Sequence, residues 1–196
     1  MKGLILGASG LLGQQQLKKY EKEWTHLMLH SKSIKELSNL AFSLPKGVKA
    51  EFFPCDFEAP QENALIEFES YLKRLKDIDI IILGSGVWQS FCEFSKNNLE
   101  EMYLSWHTNY FYPLALIKTA LPYTTSKTKL IAWHLNNELL EQSLWTSTGP
   151  ILAAFKVLLK QIAKEQLWNY EEIITDLQPT PQSLKIYPML QSENIV

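Results

Sequence analysis

A chain of 196 residues, 46% hydrophobic and 20% charged, can close one hydrophobic core and is short for two, so one domain over 1–196 is expected. Its net charge of −2 and pI near 6.1 exclude a general electrostatic attraction to nucleic acid or anionic membrane. No apolar run approaches a bilayer span and Met1-Lys2-Gly3 is no signal peptide, so a cytoplasmic protein is expected.

The first apolar run, Leu4 to Leu6, reads as a strand and leads into a turn carrying Gly7, Gly10 and Gly13. A helical pattern follows to about Lys22, then a second strand over Thr25 to His30 and a helix from Ile34 to about Phe42. Pro45, Lys46 and Gly47 break the chain before a third strand, Val48 to Phe53. A helix from about Pro60 to Leu75 sets Leu65, Phe68, Leu72 and Leu75 on one face. Ile78 to Leu83 reads as a buried parallel strand, closed by Gly84-Ser85-Gly86. A long helix from about Asn98 to Ala120, a fifth strand over Leu130 to Leu135, a helix from about Ile151 to Trp168 and a sixth strand over Glu172 to Leu177 complete the order. Strands alternating with helices predict an α/β doubly wound parallel sheet of about six strands, in three layers. Cys55 and Cys92 have no metal-ligand spacing and read as free thiols in a reducing compartment, so no metal site is expected.

The glycine turn carries the chemistry. Gly7 permits a tight turn, Gly10 lets backbone approach a diphosphate, and Gly13 lets the helix pack closely on the strand. A bound diphosphate would sit on the N–H groups at the positive end of the helix. Strand, glycine turn and helix in that order therefore predict a nucleotide site, with Ser9, Leu11 and Leu12 lining it.

From residue 3 to about residue 181 the chain resembles the short-chain dehydrogenase/reductase family, which implies a Rossmann-type fold, a nicotinamide dinucleotide and oxidoreductase activity on a carbonyl or alcohol. Gly7-Ala8-Ser9-Gly10-Leu11-Leu12-Gly13 is similar to the GxxGxxG form of the family's extended and atypical members. Asp56, followed by Phe57, matches the acidic residue set beside the adenine ring. Gly84-Ser85-Gly86 stands in the place of the family's Asn-Ala-Gly segment. Thr108-Asn109-Tyr110 resembles the active-site asparagine stretch, Ala153-Ala154-Phe155-Lys156 the stretch around the catalytic lysine, and Gln178-Pro179-Thr180 the turn after the sixth strand. By this resemblance Lys156 also binds the nicotinamide ribose.

A site for NAD wants a carboxylate at the end of the second strand, about twenty residues past the glycines, to hold the ribose 2′-OH. The chain reads His30-Ser31-Lys32-Ser33 there, and Ser31 with Lys32 suits a 2′-phosphate, so NADP is expected over NAD. The family's proton donor is a tyrosine one helical turn before the lysine, and here that position is Leu152. The family's serine aligns with Leu135 or Asn136, and Asn136 can donate a hydrogen bond in its stead. Pro113, four residues after Asn109, has no N–H to give the Asn109 carbonyl, the place where the family binds a relay water. Asn109, Asn136 and Lys156 are thus the candidate catalytic residues. His134, near the end of the fifth strand, is a further candidate acid or a packed core histidine; His26, His30 and His107 receive no role. Tyr123 and Lys127 repeat the YxxxK spacing, but in a polar segment before the fifth strand.

Two readings stay open. One is an NADP-linked oxidoreductase with an altered proton donor and an unidentified small-molecule substrate. The other is a catalytically reduced relative that binds dinucleotide as a sensor or regulatory partner. The family pairs its long helix and its lysine-bearing helix across a dimer, and the aromatic residues Tyr103, Trp106, Tyr110 and Phe111, with Phe155, Leu158, Leu159 and Ile162, predict a homodimer through helices 98–120 and 151–168.

Overall fold

A computed structural model describes residues 1–84, 95, 98–135 and 148–175. The sequence expectations placed on Ser85, Gly86, Cys92, Asn136 and Gln178-Pro179-Thr180 fall outside these residues. The elements are β1 Lys2–Leu6, α1 Leu11–Lys19, β2 His26–Ser31, α2 Ile34–Ala41, β3 Lys49–Pro54, α3 Ala64–Leu75, β4 Ile78–Leu83, α4 Leu99–Trp106, α5 Tyr112–Ala120, β5 Thr124–Leu135, α6 Gly149–Glu165 and β6 Asn169–Thr175. All five strand pairings are parallel and the order is β3-β2-β1-β4-β5-β6, with β1 and β4 side by side at the centre.

Strand periodicity sorts the core into two layers, because alternate side chains leave a strand on opposite faces. Leu4, Leu6, Met28, Phe53, Ile81, Leu83, Leu130 and Ala132 meet Phe68 and Leu72 of α3, Leu116 and Ile117 of α5, and Phe155 and Leu159 of α6. On the other face Ile5, Leu27, Leu29, Ile80, Ile82 and Ile131 meet Leu17 of α1 and Leu37 and Leu40 of α2. Fully buried side chains such as Phe68 and Leu72 each contribute about 1.5–3 kcal/mol of apolar burial. No helix among the described residues is long and apolar enough to cross a membrane.

Several expected bounds shift, β6 for one starting at Asn169 rather than Glu172, and three of the shifts have a clear physical cause. The long helix is interrupted by a π turn over His107–Phe111, in which the Tyr112 N–H reaches back to the His107 carbonyl. Pro113 explains it: a residue without N–H cannot continue the ordinary ladder onto Asn109, and it is tolerated in the first turn of the new helix, α5. The fifth strand starts at Thr124 rather than Leu130. Its register with β4 shifts between Ile78 and Ile80, and the Thr128 hydroxyl satisfies the Ile78 carbonyl at 2.6 Å where the ladder skips. Tyr123 therefore precedes a strand at its N-terminal end, far from the ends that carry the glycine turn, and bonds Glu69 at 3.1 Å. Finally, α6 ends at Glu165 rather than Trp168, because Leu167 turns left-handed at φ 57° and lets the Trp168 N–H close on the Ala163 carbonyl at 2.8 Å.

Candidate dinucleotide site

The glycine turn sits at the C-terminal end of β1, where parallel sheets leave a crevice. Gly7 adopts φ 81°, a conformation side chains resist. At Gly13 a Cβ would lie 2.4 Å from the Gly7 carbonyl and 2.7 Å from Ala8 Cα, so the start of α1 touches the turn backbone to backbone. Gly84, at the end of β4, bonds the Leu6 carbonyl at 2.8 Å, and a Cβ there would stand 3.3 Å from the Gly13 nitrogen. Gly7, Gly10, Gly13 and Gly84 thus converge. α1 opens at Gly10 with no side-chain cap, and Gln14 is the first residue to bond back, onto the Gly10 carbonyl at 3.0 Å. The N–H groups of Leu11, Leu12 and Gly13 in the first turn are those a helix cannot satisfy internally. They point the positive end of α1 at the crevice.

At the end of β2, Ser31 donates a hydrogen bond to Glu36, and Ser9 Oγ lies 2.6 Å from Ser31 Oγ and 3.1 Å from the same Glu36 oxygen. The Ser31 bond, against the opposing effect of burial and aided by Ser9, holds the Glu36 carboxyl below its ordinary range. So a carboxylate does stand beside the second strand, supplied from the first turn of α2. Sequence reading passed over Glu36, although Ser33-x-x-Glu36 has the capping-box spacing that brings a carboxylate back to a helix start. Lys32 is 3.0 Å from Glu58 and 3.1 Å from Asp56, and hydrogen bonds to Glu58 and then Asp56 raise its pKa. Asp56 and Lys32 are brought together, but as partners of each other.

Phe57 is not at the surface of the crevice. It is buried and stacks on the His30 ring at 4.2 Å and 17°, with Tyr112 at 4.9 Å on another side. The His30 ring accepts the Gly7 N–H on Nδ1 at 3.1 Å and therefore donates from Nε2 to the Cys55 carbonyl at 2.9 Å. Burial, opposed by the Cys55 bond and the Glu36 and Asp56 charges, pushes His30 down to about 4. The only sequence trace of this residue is a histidine closing a strand that is buried along its whole length.

The catalytic candidates are less well joined. Asn109 is buried in the π turn and donates its amide to the Ser105 carbonyl at 3.2 Å, one turn back. Lys156 lies 3.3 Å from Glu172 on β6, and Lys160 reaches the other oxygen of that carboxylate at 2.5 Å. Burial raises the Glu172 pKa, and the two lysines more than offset it, so the carboxylate is held ionised. His134 shares a 2.6 Å hydrogen bond with Tyr170, and burial pushes it down to about 4 despite Glu172. It is a packed, neutral histidine. Phe155 and Leu159, expected at a subunit interface, belong to the core, while Tyr103, Phe111 and Val157 are exposed.

No protein-family model and no curated protein matches the sequence. Solved structures do match the shape. A short-chain dehydrogenase from Shigella flexneri superposes at TM-score 0.77 with 15% identity, over 98% of this chain and 78% of that one. An oxidoreductase from E. coli gives TM-score 0.77 and 15% identity, over 98% and 81%. The chain has the short-chain dehydrogenase fold. A third structure with that fold, a short-chain dehydrogenase from Sphingobium yanoikuyae in complex with NADPH, superposes at TM-score 0.74 with 17% identity, over 89% of this chain and 70% of that one. At such identities the likeness is one of fold, and the short-chain dehydrogenase residues that differ here, Leu152 above all, have to be judged on their own chemistry.

Proposed function

We propose that this protein binds a nicotinamide dinucleotide across the C-terminal ends of β1, β2 and β4, and that it is an oxidoreductase of carbonyl or alcohol substrates with an altered proton donor. The observation that carries the reading is the space at Gly13. A side chain cannot exist there, and the contact leaves the uncapped start of α1 against the turn. Leu11, Leu12 and Gly13 would give their N–H groups to the diphosphate. The Sphingobium short-chain dehydrogenase, similar in fold, is in complex with NADPH, which supports a dinucleotide of this class.

The adenosine side favours NAD(H), against the NADP expected from Lys32. Glu36, held ionised between Ser9 and Ser31, would accept ribose hydroxyls and repel a 2′-phosphate. Lys32 is already neutralised by Asp56 and Glu58. When bound, the nicotinamide supplies or accepts the hydride. On the protein side, Asn109 orders the π turn, Lys156 brings positive charge to the strand ends, and Leu152 excludes water without moving a proton. A carbonyl reduced here must take its proton from elsewhere, and general acid catalysis is worth about 10²–10⁴-fold.

The Lys156–Glu172 pair favours a second reading, binding without turnover, in which the protein acts as a dinucleotide-responsive partner. A second copy of the chain would pack on the exposed Tyr103, Phe111 and Val157 of the α4–α5 and α6 faces. Calorimetric titration with NADH and NADPH, followed by a carbonyl-substrate screen, tests these statements. Binding of NADH with turnover supports the oxidoreductase, binding alone supports the second reading, and no binding of either dinucleotide rejects both.

A further inference from the structure

We propose that His30 is the positioning residue of the glycine turn: held as its Nε2–H tautomer, it pins Gly7 with its ring and Ala8 with its carbonyl, and ties both to the end of β3. Its consequence for ligand binding rests on the dinucleotide reading above; the lock itself does not.

The geometry leaves one assignment. Two consecutive N–H groups of the turn end on this residue, Gly7 on Nδ1 at 3.1 Å and Ala8 on the main-chain oxygen at 2.7 Å. An imidazole that accepts on Nδ1 and stays neutral has its proton on Nε2, and that atom lies 2.9 Å from the Cys55 carbonyl. The ring cannot swing away. It is buried, stacked on Phe57 and set 5.8 Å from Phe53. Turning it would leave the half-buried Gly7 N–H without its acceptor, and protonating it would oppose two donors. The charged groups that act on the ring are the Glu36 carboxylate from α2 and the Asp56 carboxylate beyond β3, while the Cys55 thiol is taken up by the Tyr112 hydroxyl of α5 at 3.3 Å. The carboxylates favour charging the ring; burial prevails.

This gives Phe57 a purpose other than the ligand contact expected from its position. It is the wall that keeps the His30 ring flat. Its carbonyl also receives the His107 ring at 3.2 Å, so the turn is connected through His30 and Phe57 to the segment that carries Asn109. The left-handed Gly7 is thereby held in shape from β3, before any phosphate arrives.

The test uses the full chain. Long-range ¹H–¹⁵N spectra of the wild type should find His30 as the Nε2–H tautomer at neutral pH, with slow amide exchange at Gly7 and Ala8. His30→Phe keeps the ring shape and loses both polar atoms. It should speed Gly7 exchange and weaken NADH binding, each about tenfold. His30→Asn, whose Oδ1 stands where Nδ1 was, should recover the Gly7 protection and most of the affinity. A wild-type Nδ1–H tautomer, or a folded His30→Phe with Gly7 still protected, overturns the proposal. If the phenylalanine variant does not fold, the wild-type tautomer and the asparagine variant decide. If the wild type binds neither NADH nor NADPH while Gly7 is protected by an Nε2–H imidazole, the lock stands and the dinucleotide reading falls.

Discussion

Lys156 of α6 and Glu172 of β6 face each other at 3.3 Å across the helix–sheet contact. The lysine that the family resemblance marks as catalytic is therefore held by a partner that is itself shared with Lys160. Leu152 stands one turn before it. Leu152→Tyr places a phenol beside Lys156 and is expected to raise carbonyl reduction with NADH by about 10²-fold or more over the wild type. Steady-state assays on a panel of ketones and aldehydes check this, and unchanged rates in a folded, NADH-binding variant would show that more than the acid is missing.

On the proposed NAD(H) reading, Glu36 would select against a 2′-phosphate. Glu36→Ser leaves hydroxyls around Ser9 and Ser31 and removes the negative charge, so the ratio of NADPH to NADH affinity should rise roughly tenfold or more. The two dissociation constants at fixed salt are the measurement. An unchanged ratio would remove Glu36 from the site.

Gly13→Ala puts a methyl group 2.4 Å from the Gly7 carbonyl. Backbone must move, at a cost of about 3 kcal/mol, and dinucleotide binding should be lost even in whatever fraction stays folded. Thermal melts and NADH titration read the two effects separately.

Two buried histidines make the fold sensitive to acid. His30 and His134 are each pushed down to about 4 from 6.5, so the unfolded chain holds protons that the folded chain does not. Stability is fully present above about pH 6.5 and falls as pH is lowered toward about 4, by on the order of 3 kcal/mol for each ring. Urea unfolding across that window should show this slope, and His30→Asn should remove about half of it.

Phe111 projects from the π turn and is more than half exposed. Phe111→Glu is expected to convert a dimer into a monomer at micromolar concentration, read by light scattering. A wild type that is already monomeric would retire the interface.

The repeating strands and helices were legible because burial dictates them: Leu4 to Leu6 and Ile80 to Leu83 are apolar throughout since both faces of a central parallel strand are covered. The glycine turn was legible for a similar reason, as Gly13 admits no other residue. What could not be read depends on side chains meeting across elements. Glu36 bends back over Ser31 to reach Ser9, and His30 finds Gly7 in the turn after the neighbouring strand; neither Ser9 nor Gly7 is close in sequence to its partner. The spacing to Lys32 suggested a cation for phosphate, but only the fold brings Asp56 and Glu58 to neutralise it. The early start of β5 was hidden by polar residues, Thr124 to Lys127, that a strand tolerates at the sheet's lower edge.

The sheet order has a consequence for how the chain assembles. β1, β2 and β3 can pair as soon as residue 54 is available, yet the other side of β1 waits for β4, whose residues Ile80 to Leu83 pair with Gly3 to Leu6. Until then the apolar edge of β1 is an open template for pairing with other chains. During synthesis, the interval between about residue 54 and residue 83 is thus one in which the nascent chain is exposed to aggregation, and holdase chaperones should associate with it there.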